Sequence, residues 1–146
     1  MKALLSGVPI FAGLTPEAIA LLLENARELE FGEGAVVVRE GETSNRFFVI
    51  AVGRLRVCRN FGQPGEVDLA SLGPKEFFGE MSILDTLPRS ATIQAMSPST
   101  LCCISSITFA RLYQSMPTQY GILILNIARD LSRRLRHLDE VFAARH

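Results

Sequence analysis

The chain has 146 residues, 48% of them hydrophobic and 21% charged, with fifteen basic side chains balancing fifteen acidic ones. That length suits one domain with a real core. Zero net charge argues against broad electrostatic binding to nucleic acid, which works by neutralising many phosphates, and no apolar run reaches the roughly 20 residues of a membrane span.

The N-terminal stretch from Met1 has one lysine and several apolar residues, as a short signal peptide would. Ser6, Gly7 and Pro9 interrupt it, and its apolar residues run on toward a helix, so the expected location is the cytoplasm. Thr15-Pro16-Glu17 opens that helix with an N-cap hydroxyl, a proline at the first helical position and an acid at the positive end. Ile19, Leu22, Leu23 and Ala26 give it an apolar face, predicting a helix over 15–27.

From Leu29 to Ser105 the texture changes to short β-rich runs punctuated by glycine. Strands are predicted at Ala35–Val38, Arg46–Val52, Arg54–Arg59, Glu66–Leu72, Ala91–Met96 and Leu101–Ile104. Many short strands at near-even spacing predict a closed all-β sandwich or barrel over 29–105. Helices return after it. Ser105 or Ser106 caps a short one through Tyr113, and Pro117 starts a long one to about Phe142. Ile124, Ala128, Leu131, Leu135, Leu138 and Phe142 form a heptad-like seam along the long helix, fit to pack on the chain's own barrel or on a second subunit. The plan is a single domain over 1–146, mainly β, with an N-terminal helix and helices over 106–142.

Three cysteines, Cys58, Cys102 and Cys103, make a poor disulfide framework. Adjacent strand residues point to opposite faces, so Cys102 and Cys103 should not act together. Free thiols in a reducing compartment are the simpler reading. The two histidines, His137 and His146, both stand near the C-terminus, too few and too far from the barrel for a cupin-like metal site. No nucleophile elbow is present. Neither an enzyme nor a metal or other cofactor is expected.

One stretch inside the barrel does not alternate: FGEMSILDTLPRSAT, Phe78–Thr92. Gly79 lets a ligand approach the backbone. Glu80 to Leu84 suits a short helical turn whose free N–H groups favour an anion. Pro88 fixes the chain before Arg89, whose planar fork of donors matches two phosphate oxygens. Ser90 adds a hydroxyl, and Ala91 a backbone N–H. Glu80 accepts hydrogen bonds only, which suits a sugar hydroxyl. Together they suit a phosphate with a hydroxyl beside it, the pair that a ribose cyclic phosphate presents. The plainer alternative is an internal Glu80–Arg89 salt bridge bracing a loop.

Gly79-Glu80, then a helical turn, then Pro88-Arg89-Ser90-Ala91-Thr92 resembles the phosphate cassette of the cyclic-nucleotide-binding domain family, of the catabolite-activator and protein-kinase-A regulatory type. Pro9–Leu14 is similar to the family's entry into its first helix, and Arg39–Glu42, Gly53–Leu55 and Leu72–Pro74 to its barrel turns. The resemblance implies an antiparallel β-roll or jelly-roll barrel and a sensor for cyclic AMP or cyclic GMP. It implies ligand contacts from Phe78, Gly79, Glu80, Met81, Ser82, Arg89, Ser90 and Ala91. Glu80 takes the ribose 2′-hydroxyl, while Arg89, Ser90 and the Ala91 amide take the phosphate. His137, Leu138, Val141 and Phe142 are the positions on the long helix for a lid over the base. Arg-Ser-Ala leans toward cyclic AMP. The expected partner is a second copy through the 117–142 helix, with no nucleic acid and no membrane. The same resemblance fits the ligand-binding part of a transcription regulator without its DNA-binding domain, or a docking module that has lost its ligand.

Overall fold

The computed structural model describes residues 7–80 and 87–145, with side chains to residue 144. A 3-10 turn (Pro9–Phe11) leads into α1 (Pro16–Leu23). Eight strands follow: β1 (Arg27–Phe31), β2 (Val36–Val38), β3 (Arg46–Val52), β4 (Leu55–Arg59), β5 (Val67–Leu72), β6 (Phe77–Phe78), β7 (Thr92–Ala95) and β8 (Ser99–Ser105). Two helices end the chain, α2 (Ser106–Ser115) and α3 (Pro117–Arg145).

The strands form two antiparallel four-stranded sheets, ordered β1-β8-β3-β6 and β2-β7-β4-β5. This is a jelly-roll arrangement but not the closed barrel that the strand spacing predicts. No strand pairing joins the two sheets among the described residues. The edge strand β6 has only two residues, too short to carry a ladder around to the other sheet.

The central strand β3, Arg-Phe-Phe-Val-Ile-Ala-Val, is buried over Phe47–Ile50 on both faces, which is why it reads as a continuous apolar run. Phe47 and Val49 belong to the core shared with the helices, together with Cys102 and Ile104 of β8. Phe48 and Ile50 belong to the roll interior, together with Leu101 and Cys103. The period of two thus sorts one strand's side chains into two cores. Phe47 stacks on Phe77 with centroids 5.5 Å apart and meets the edge of Phe109 in α2 at 5.3 Å, joining sheet to helix.

Helix α1 begins as predicted: the Thr15 hydroxyl accepts from the Ala18 N–H at 3.2 Å. It ends at Leu23 and not at Arg27, because Arg27 already pairs with Cys103 as the first residue of β1. Ser105 caps α2 by accepting from the Ile107 N–H at 3.0 Å. Helix α3 is tied to the N-terminal turn by Asn126, whose Nδ2 donates to the carbonyls of Ile10 at 2.9 Å and Ala12 at 2.8 Å. Its apolar residues divide between two sides. Leu123 and Ile127 are fully buried, with Ile124 and Leu131 partly buried against the same core. Leu125, Leu135, Leu138, Val141 and Phe142 are exposed. The single predicted seam is therefore split, because the helix passes beyond the core that its first half covers.

Candidate functional site

The site forms where β6 leaves the sheet. Phe78 is buried in the roll interior and stacks on Phe48 at 4.8 Å, with ring planes 14° apart. The chain then turns at Gly79, whose φ is +89°. A side chain there would place Cβ 2.6 Å from the Arg46 carbonyl oxygen and 2.8 Å from Arg89 Nη1. Those are distances that real Cβ atoms do not tolerate, so this position needs glycine, and the groups that approach it are the Arg46 carbonyl and Arg89, where the sequence suggests a ligand.

Arg89 is held from both ends by the turn before β3. Its backbone N–H donates to the Glu42 carbonyl, and its own carbonyl accepts from the Gly41 N–H, both at 2.8 Å. Its Nη2 donates to Ser44 Oγ at 2.9 Å and to the Arg46 carbonyl at 2.8 Å. Its Nε is buried and has no acceptor among the described residues. Burial pushes the guanidinium below the ordinary arginine value, and the Glu80 charge opposes that shift. Glu80 is close enough to be felt, but no ion pair joins it to Arg89 among the described residues. The plain salt bridge that would have explained both residues is not formed. A half-buried cation with an unsatisfied N–H, flanked by a carboxylate, can receive an anion carrying a hydroxyl.

The other sequence candidates fall around this centre. Ala91 is buried and Ser90 exposed. Thr92 is buried, its hydroxyl accepting from the Glu40 N–H at 2.9 Å, a second tie to the same turn. Met81 and Ser82, with the short helical turn expected after Glu80, lie outside the described residues. His137, Leu138, Val141 and Phe142 all stand on an exposed length of α3, Phe142 at 66%. Sequence reasoning missed Ser44 and the carbonyls of Glu42 and Arg46. The Arg39–Glu42 turn was visible, but nothing in its residues announces a partner more than forty positions away.

A further contact links this region to α3. Arg134 lies over the Phe77 ring at 4.5 Å, and its Nη2 donates to the Phe77 carbonyl at 3.2 Å. Its Nε is 2.8 Å from Asp130 Oδ2 but off the hydrogen-bond axis, so that contact is ionic. One residue, Phe78, separates Phe77 from Gly79.

The fold is a jelly roll of two four-stranded sheets, with the partly buried Arg89 beside the turn that leaves β6. Residues 28–116 match the family described as Cyclic nucleotide-binding domain, and the chain belongs to that family. It is 33% identical over 135 residues to the Cyclic AMP receptor protein of Thermus thermophilus, covering 92% of this chain and 61% of the relative. It is 34% identical over 114 residues to a cyclic nucleotide-gated potassium channel of Mesorhizobium japonicum, covering 78% of this chain and 30% of the channel. The fold superposes with a TM-score of 0.88 on a cyclic nucleotide-binding domain from Methylobacillus flagellatus, at 19% identity, covering 99% of this chain and 84% of that one. The chain spans about three fifths of the length of the receptor protein it matches. No helix among the described residues is long and apolar enough to cross a membrane.

Proposed function

We propose that this chain is a cyclic AMP sensor whose ligand sits on Arg89 and whose response is carried by α3. The observation that carries the reading is the buried Arg89 Nε, a charged donor without an acceptor among the described residues. Such a group is costly to leave bare and is satisfied by an anionic oxygen. Arg89 and Ser90 hold the cyclic phosphate with the Ala91 amide, and Glu80 accepts from the ribose 2′-hydroxyl. Phe78 and Gly79 shape the floor, with Met81 and Ser82 completing the segment. Arg89-Ser90-Ala91 and the likeness to a protein named for cyclic AMP favour that nucleotide over cyclic GMP.

Arg134 supports the second half of the proposal. It joins α3 to Phe77, so a shift of the segment after Phe78 bears on the helix. A ligand moves such an equilibrium only by binding one arrangement better than the other. His137, Leu138, Val141 and Phe142 would close over the base in the bound arrangement. The exposed apolar residues of α3 suit a second copy of the chain. Calorimetric titration with cyclic AMP and cyclic GMP tests the ligand. Tighter binding of cyclic AMP is expected, and binding of neither at high micromolar concentration overturns the proposal.

A further inference from the structure

Within this reading of the site, we propose that Ser44 is a positioning residue: its hydroxyl sets the Arg89 guanidinium in the orientation that receives the phosphate. Arginine has a long flexible stem, and ordering it on binding costs rotamer entropy. Here the guanidinium is already ordered. Nη2 carries two N–H bonds, and both are used, one on Ser44 Oγ and one on the Arg46 carbonyl. The Arg46 carbonyl belongs to the first residue of β3, which is registered against Ser105 of β8, so the sheet fixes that acceptor. The acceptor supplied by a side chain is Ser44.

The Ser44 oxygen is itself oriented. It accepts from the Arg46 N–H at 3.2 Å as well as from Arg89, a local side-chain-to-backbone turn that ties the hydroxyl to the start of β3. Two donors occupy its two lone pairs, leaving the hydroxyl proton to donate outward. The order therefore passes from the sheet to Ser44 and from Ser44 to Arg89, leaving Nε without an acceptor among the described residues. A site ordered before its ligand arrives loses less entropy on binding. A merely structural Ser44 would brace the 41–46 turn and leave ligand affinity untouched.

The test compares wild-type full-length chain with Ser44→Ala and Ser44→Thr. Arginine guanidinium NMR on ligand-free protein reads rotation about the Arg89 Cζ–Nη2 bond, calorimetry reads cyclic AMP affinity, and urea unfolding reads the fold. Ser44→Ala is expected to free the Nη2 rotation and weaken cyclic AMP binding about tenfold, the size of one hydrogen bond to a charged group. Ser44→Thr keeps the hydroxyl and is expected to restore both. Unchanged Nη2 rotation in Ser44→Ala overturns the proposal, as does unchanged affinity in a folded variant, or equal loss in Ser44→Thr. If wild-type protein binds no cyclic nucleotide, the proposed function fails by itself, while the ligand-free NMR comparison still decides whether Ser44 holds Arg89.

Discussion

Gly79→Ala is the substitution with the most direct structural consequence. Two costs add. The backbone at φ +89° is closed to ordinary side chains, which costs about 1–3 kcal/mol when it must be kept. The new methyl also meets the Arg46 carbonyl at 2.6 Å and Arg89 Nη1 at 2.8 Å. The first cannot yield easily, because Arg46 and the fully buried Phe47 are paired with β8. Arg89 must move instead, off Ser44 and off the Arg46 carbonyl. The backbone cost alone should lower the thermal unfolding midpoint by about 3–9 °C, at roughly 3 °C per kcal/mol for a chain of this size, and the methyl contacts add to it. Cyclic AMP affinity should fall by more than the stability loss explains, since the variant that remains folded has a displaced arginine. Calorimetry on that folded variant is the assay. A Gly79→Ala protein with wild-type melting and wild-type affinity would refute the reasoning at its base, because neither the strain nor the contact would then exist.

Arg134→Ala should cost less than about 2 kcal/mol in urea unfolding, since its ring contact and ion pair are both partly exposed. It should also uncouple α3 from the ligand, so that hydrogen exchange of the helix no longer changes on adding cyclic AMP; a retained change would contradict the link through Phe77. Burial pushes the Cys102 thiol up to about 11 from 9.0. The unfolded chain loses that proton first, so the stabilisation is whole below pH 9.0 and is lost as pH rises to about 11. Between those values wild-type stability should fall more steeply than that of Cys102→Ala, and parallel curves would argue against it. Sedimentation at micromolar concentration should show a dimer that Leu135→Glu or Leu138→Glu dissociates; a wild-type monomer would remove α3 as the interface.

How much of this was legible beforehand depends on the range over which each residue acts. The limits of β3 follow from its apolar run, and the caps at Thr15 and Ser105 from adjacent residues. β1 was harder, because three of the five residues of Arg-Glu-Leu-Glu-Phe are charged and Arg27 extends the helix pattern that precedes it. β6 was missed because it is two residues long and its second residue, Phe78, opens the segment read for its chemistry. At the site, Gly79 and Arg89 were legible through residue type, since glycine and arginine each have few reasons to stand beside a non-alternating stretch. Ser44 was not, because a serine before a strand is ordinary until the fold brings Arg89 to it. The split of the α3 seam also needed the fold: Leu131 and Leu135 are alike in sequence, and only the first meets the core.

The central claim is that Arg89 receives the phosphate of a cyclic nucleotide. Calorimetric titration of cyclic AMP into wild-type chain and into Arg89→Ala tests it most directly. The wild type should bind, and the variant, still folded by its unfolding curve, should lose about 2–5 kcal/mol, at least thirtyfold in Kd. Equal affinity in the two proteins would contradict the claim.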